Sequence, residues 1–333
     1  MKPFKYTATN TVSTATQKMT ANPNAKFLAG GTNILDLMKE DVEQPNELVD
    51  ITRLPLRGIK TISAGANKGG ISLGALDKNT ETANHPLVRQ NYPLLSQAIL
   101  AGASAQIRNM ATNAGNLNQR TRCPYFYEIS MPCNKRQPGT GCGAIEGINR
   151  SHAIFGWSDQ CIAVHPSDMC VALVALDAIV IVQGTGGKER RIPFVEYHRL
   201  PGDTPQKDNN LNPGELITSI EIPTNNFANT SYYLKVRDRA SYAFALVSAA
   251  AAVEMNGPRI KQARVALGGV AHKPWRAMEA EKFLAGKEAT EENFKQAAEM
   301  EMKQAKAFEH NEFKIELGKR AIARALMQAM KTA

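Results

Sequence analysis

Ala25-Lys26-Phe27-Leu28-Ala29-Gly30-Gly31-Thr32-Asn33-Ile34-Leu35-Asp36-Leu37-Met38 is the stretch on which the fold turns. Its first five residues read as an apolar strand, and the paired glycines end it with a turn free of Cβ atoms. Beyond the turn Ile34, Leu35, Leu37 and Met38 fit one helix face, and Glu47-Leu48-Val49-Asp50-Ile51 reads as the next strand. Strand, glycine turn, helix and strand predict a small α/β unit. Free backbone N–H groups at such a turn, aided by the helix dipole, favour an anion, and the glycines let a phosphate approach. A plain strand–helix turn would have the same sequence.

Working outward, Phe4-Lys5-Tyr6 reads as a strand and Val12 to Met19 as a short helix. Downstream, Ile71 to Leu76 is strand-like and Pro86 to Ala101 carries helical patterning. Small residues then dominate Gly102 to Leu117, where Thr112-Asn113-Ala114-Gly115-Asn116 repeats the small and polar character of the first turn. Two such loops closing on one elongated dinucleotide would explain both. Ser167-Asp168 reads as the N-cap of a helix through Val171 to Leu176, followed by strands Ala178 to Val182 and Glu215 to Ile222. Past about residue 230, strands Tyr232–Val236, Ala243–Val253 and Ala263–Val270 precede three helical stretches that start at Arg276. Strands followed by helices predict a separate α+β domain. The chain therefore divides as 1–57, 58–226 and 227–333.

Cys123, Cys133, Cys142 and Cys161 fall within 39 residues, and Cys170 is the only other cysteine. The stretch between them lacks regular periodicity, as a loop folded around something would. Structural zinc sites present ligands as tight pairs two to four residues apart. Here nine, eight and eighteen residues intervene, so separate loop passes would have to converge, which suits a larger object such as a cubane cluster. Zinc completed by His152 or His165 stays open, as does no metal at all. An odd number of cysteines argues against a purely oxidised framework.

Composition narrows the classes. With 333 residues, 43% of them hydrophobic, the chain can bury ordinary cores in two to three domains. The start, Met-Lys-Pro-Phe-Lys-Tyr-Thr, has no apolar stretch for a signal peptide, and no run approaches a membrane span. The net charge of +9 is not gathered into a basic block with interleaved aromatics, so nucleic acid is not an expected partner. Gly139-Thr140-Gly141-Cys142-Gly143-Ala144 matches a dinucleotide fingerprint but follows no apolar strand; its glycines more simply let the chain wrap around Cys142. Asp168 reads as an N-cap or as a carboxylate accepting ribose or ribityl hydroxyls, and Lys235 as an edge charge on a strand. No Ser-His-Asp arrangement, carboxylate pair or His-Glu-x-x-His motif is recognisable.

Phe27-Leu28-Ala29-Gly30-Gly31-Thr32-Asn33, Gln106-Ile107-Arg108-Asn109 with Thr112 and Gly115-Asn116, His165-Pro166-Ser167-Asp168, Gly214-Glu215-Leu216-Ile217 and Lys235-Val236-Arg237 together resemble the FAD-binding subunits of the xanthine dehydrogenase family of molybdenum hydroxylases. Arg120-Thr121-Arg122-Cys123-Pro124-Tyr125-Phe126-Tyr127, the later cysteines and Ala266 to Arg276 resemble, more narrowly, the flavin subunits of bacterial periplasmic aldehyde oxidoreductases. The resemblance implies an α+β fold: a vanillyl-alcohol-oxidase-type FAD-binding region of two α/β subdomains, then a C-terminal domain with a three-stranded antiparallel sheet and helices. It implies that Phe27 through Ile34, including Leu28, Ala29, Gly30, Gly31, Thr32 and Asn33, form the loop on the FAD pyrophosphate. Thr112, Gly115 and Asn116 would form the second cradle, Asp168 would meet the cofactor's sugar portion, Leu216 would make an apolar contact, and Lys235 would be a cation near the flavin. The insertion at about 118–165 corresponds to one that carries a [4Fe-4S] cluster, with Cys123, Cys133, Cys142 and Cys161 as ligands and Cys170 packed in its helix. Arg122, Lys135 and Arg136 could raise the cluster's potential, although Lys135 and Arg136 read more simply as solvated loop cations.

The function so implied is electron transfer within a heterotrimer. A large molybdenum-cofactor subunit would oxidise an aldehyde, a small [2Fe-2S] subunit would pass the electrons on, and FAD here would deliver them to an external acceptor. Export to the periplasm, folded and bound to a signal-bearing partner, is the implied location, with the cytoplasm as the alternative. Two other classes remain: a self-contained flavin oxidase of the same fold, and a zinc-stabilised interaction protein.

Overall fold

The computed structural model describes residues 1–331. The first unit is β1 (Lys5–Ala8), α1 (Val12–Ala21), β2 (Ala25–Leu28), α2 (Ile34–Lys39) and β3 (Glu47–Asp50). Its strands form a parallel sheet in the order β1-β3-β2. The central strand is buried at all four positions, including two acids. Those acids are satisfied locally: Thr7 Oγ1 donates to Glu47 at 2.7 Å, while Tyr6 Oη and the Thr52 N–H donate to Asp50.

The second unit contains β4 (Lys60–Thr61), β5 (Ile71–Gly74), α3 (Asn79–Asn84), α4 (Pro86–Asn91), α5 (Pro93–Ala101), α6 (Ala105–Met110), α7 (Asn113–Leu117), α8 (Pro124–Tyr127), α9 (Asp168–Ala175), β6 (Ile179–Gln183), β7 (Glu189–Pro193), α10 (Phe194–Tyr197) and β8 (Leu216–Ile222). Five strands pair antiparallel in the order β4-β5-β8-β6-β7. The helical pattern over 86–101 proves to be two helices, because Pro93 starts a new one and biases Tyr92 out of the helical region. All eight residues of α9 are buried, so it is covered on every side.

The last unit is β9 (Ser231–Val236), β10 (Val247–Asn256), β11 (Arg259–Gly268), β12 (Trp275–Arg276), α11 (Met278–Leu284), α12 (Glu291–Met302) and α13 (Phe313–Lys331). Its three long antiparallel strands are those expected, joined by the two-residue edge β12. Ala249 through Ala252 are all fully buried in β10. Their side chains alternate between two cores, one shared with α9 and one with α11 to α13, so the sheet is a middle layer. Small side chains let helices approach it from both faces.

Between α7 and α9 the chain forms one short helix and otherwise turns. Side chains do the work of ladders there. Arg136 donates to the carbonyls of Tyr125 (2.9 Å), Phe126 (2.8 Å), Ile129 (3.3 Å) and Met131. Asn134 Oδ1 accepts from the N–H groups of Gly139 and Gly141, both at positive φ, which wraps the loop around Cys142. The insertion docks on the C-terminal unit: the N–H groups of Ile154 and Phe155 donate to the Val270 carbonyl, and Phe155 stacks on Trp275 at 4.7 Å.

Candidate functional site

The glycine turn and the Thr112 segment meet. They line one cleft of about 790 Å³, within the range of small-molecule sites. Phe27, Ala29, Gly30, Gly31, Thr32, Asn33 and Ile34 form one wall, Thr112 and Gly115 a second, and Leu216 a third. Leu28 does not line the cleft. Thr112 caps α7, its hydroxyl accepting from the Gly115 N–H at 3.2 Å. Asn116 stands behind the cleft, donating to Asn79 at 2.7 Å and accepting from Ser167 at 2.5 Å.

The first turn is equipped for an anion, though less by a dipole than the sequence suggests, since α2 has only six residues. Among the described residues the backbone N–H groups of Gly31, Thr32 and Asn33 have no hydrogen-bond partner. Asn33 Nδ2 and Arg199 Nε are buried donors without a partner, and both residues line the cleft. Unmet donors beside a long cleft fit a cofactor carrying phosphates.

Asp168 and Lys235 lie elsewhere. Ser167 is the cap of α9, its Oγ accepting from the Cys170 N–H, so Asp168 is the first helical residue and not the cap. Its carboxylate accepts from Lys235 Nζ and from Tyr233 Oη, both at 2.7 Å, and Lys235 also donates to the Ala101 carbonyl. Both side chains are buried, so Lys235, although on the edge strand β9, is not a solvent-facing charge. Asp168, but not Lys235, lines a separate small cavity together with Cys123, His152 and Phe244.

The four insertion cysteines line a third cavity, with no disulfide among them. Burial pushes the Cys123 thiol up to about 12 and the Cys161 thiol to about 11. A bound cationic centre would be what turns them into thiolates. His152 Nε2 sits 3.1 Å from Cys123 Sγ, whereas His165 lies tilted against His198 with ring centroids 4.2 Å apart. Among the described residues the Cys, His, Asp or Glu donors grouped within 4.8 Å of one another are those of His165, Cys170 and His198. The four cysteines form no such tight group. Their sulfurs are not gathered as tightly as a single tetrahedral ion would draw them, at about 2.3 Å from itself.

Lys135 is not solvated, and Arg136 is only partly so. Lys135 is 1% exposed, and its Nζ donates to Asp208 and to the Pro205 carbonyl at 2.8 Å. Arg136 is spent on the carbonyls named above. Arg122 pairs with Asp36 at 2.7 Å and with the Tyr127 hydroxyl. Arg120, Arg199 and Asp208 are cleft residues that sequence reading did not single out as such. Burial works against charge on Asp208, but Lys135 and Arg120 outweigh it and hold its carboxyl far below the usual range. Arg120 is partly buried; desolvation works against its charge, but Asp208 and Glu43 keep its pKa above the ordinary value.

Comparison with known proteins agrees with this layout. The family described as "FAD binding domain in molybdopterin dehydrogenase" matches residues 2–225, and "CO dehydrogenase flavoprotein C-terminal domain" matches 232–329. The aldehyde oxidoreductase FAD-binding subunit PaoB of Escherichia coli (strain K12) is 48% identical over 99% of both chains. The glyceraldehyde dehydrogenase medium chain of Sulfolobus acidocaldarius is 29% identical over 89% of this chain and 85% of its own. Carbon monoxide dehydrogenase from Hydrogenophaga pseudoflava shares the fold, with a TM-score of 0.76, 24% identity and coverage of 100% of this chain and 99% of that one. With both family matches in sequence order and a relative alike from end to end, the chain belongs to the FAD-binding medium subunits of the molybdenum hydroxylases.

Proposed function

We propose that the chain is the electron-transfer flavoprotein of a molybdenum-containing aldehyde oxidoreductase, working with a large molybdenum-cofactor subunit and a small [2Fe-2S] subunit. The aldehyde assignment is supported by likeness to PaoB over the whole chain. The observation that carries the redox reading is the convergence of Cys123, Cys133, Cys142 and Cys161 on one cavity beside the FAD cleft, with Lys135 reaching from the cavity lining to Asp208 on the cleft. We infer a [4Fe-4S] cluster in that cavity. FAD can take electrons singly and release them singly or in pairs.

The chain's own residues bind and shield. Gly31, Thr32 and Asn33 offer free N–H groups to a pyrophosphate, Asn33 Nδ2 and Arg199 Nε add donors, and Phe27 and Leu216 give the cleft apolar lining. The buried Asp168–Lys235 pair fastens α9 to β9 behind it.

The test is co-purification with both partners and assay of FAD, iron, acid-labile sulfide and molybdenum. Stoichiometric FAD, together with iron that falls in Cys133→Ser to the content of the small subunit's clusters, is expected. A flavin-free complex, or zinc without iron in this chain, would reject the reading.

A further inference from the structure

The wall between the FAD cleft and the cysteine cavity is built on one partly buried carboxylate. Asp208 lines the cleft, and it accepts from Arg120 Nε at 2.9 Å and from Lys135 Nζ. Arg120 lines the same cleft, pairs also with Glu43, and places its guanidinium over the Phe126 ring at 4.8 Å from the centroid. Phe126 and Lys135 line the cysteine cavity on the other side. Arg120 and Lys135 on Asp208, with Lys26 sharing Glu43 at 3.5 Å, thus form a charged network two residues thick that touches both sites.

We propose that Asp208, through Lys135 and Arg120, sets the reduction potentials of both the centre held by the cysteines and the flavin in the cleft. This rests on the cluster and FAD assignments above and adds a tuning role to them. Reduction adds negative charge at either centre, so charge left uncompensated in the wall favours or opposes it according to its sign. A low-dielectric setting makes that interaction strong and poorly screened by salt. Fixed charge near a cluster is among the factors that set its potential. These are positioning residues; none needs to touch a reacting atom.

The sign of the effect separates tuning from scaffolding. Asp208→Asn leaves the wall with an extra positive charge and raises both midpoint potentials. Lys135→Met leaves it with an extra negative charge and lowers them, the cysteine-held centre more than the flavin, because Lys135 lines only the cysteine cavity. Lys135→Arg restores the wild-type values. The measurement is a redox titration of the co-purified complex, following the cluster by EPR and the flavin by absorbance, with iron and FAD content determined in parallel. Shifts of the same sign in the two charge variants, or no shift with both cofactors retained, would overturn the proposal. If Asp208→Asn does not assemble, Lys135→Met decides alone: the potential must fall. A wild-type complex with no cluster in this chain would instead defeat the cluster assignment, and the flavin titration would still test the wall.

Discussion

The carbonyl oxygen of Met110 stands where a side chain on Gly30 would begin: an ideal Cβ would lie 2.0 Å from it. Lys78 Nζ also donates to that carbonyl at 2.8 Å, and because the nearest atoms are all backbone no rotamer change can relieve the contact. The two cofactor loops therefore touch backbone to backbone, and Gly30→Ala must part them. Overpacking of this kind costs about 1–3 kcal/mol, and here it also widens the cleft. The expected result is a lower melting temperature together with less FAD retained on purification. A Gly30→Ala protein with wild-type flavin content and stability would show that the loops need not touch.

The two loops were legible because each is a local statement. Glycine pairs after a strand and a small polar run need no partner to be recognised. Their meeting was not legible, since it depends on the Met110 carbonyl reaching Gly30 across the fold. Asp208 carried no signal at all. Its loop has no period, and its meaning comes from Arg120 and Lys135, 88 and 73 residues away in sequence. Lys135 was misread for the same reason, because a lysine in a Pro- and Gly-rich loop is ordinarily solvated until a distant carboxylate buries it. The cysteines were legible as a group, while the carbonyl clamp of Arg136 that orders them could only be seen in three dimensions.

Asp168 and Lys235 face each other at 2.7 Å with side chains 7% and 4% exposed. Removing one partner strands the other charge in the interior, which costs about 3–5 kcal/mol, whereas replacing both is far milder. Lys235→Met is therefore expected to destabilise strongly, and Asp168→Asn with Lys235→Met to recover much of the loss. Chemical denaturation of the four proteins in a double-mutant cycle checks this. Additive losses would mean that the pair is not coupled in the folded chain.

His198 is expected to make the protein acid-labile. Its Nε2 bonds the Leu117 carbonyl at 2.8 Å, its Nδ1 has no partner among the described residues, and burial pushes its pKa down to about 4. An unfolded histidine titrates near about 6.5, so between those values the unfolded chain binds a proton that the folded chain refuses. Stability is then full above about pH 6.5 and falls as pH is lowered, by about 3 kcal/mol at the folded pKa. Burial holds His272 near about 3, which extends the decline to lower pH. Urea midpoints measured across this range should drop, and His198→Gln should flatten part of the drop. A pH-independent midpoint from 6.5 to 4 would contradict the neutral buried imidazole.

Arg136 should matter more than any single turn of the insertion. It donates to four carbonyls spread from Tyr125 to Met131, and it follows Cys133 by three residues. A planar guanidinium can serve several acceptors at fixed angles, whereas lysine has one ammonium and cannot span them. The part-buried Tyr125 and Phe126 carbonyls would lose their donor at a cost of up to about 1–3 kcal/mol each, whereas those of Ile129 and Met131 can turn to water. With so little regular structure in this segment, no strand ladder can take up the load. Arg136→Lys should leave the C-terminal unit folded but loosen the loop around Cys133, so that limited proteolysis cuts between α8 and Cys142 and the iron content of the complex falls. Protease resistance and iron equal to wild type would mean that the thiolate-bound centre, and not the clamp, holds the insertion in shape.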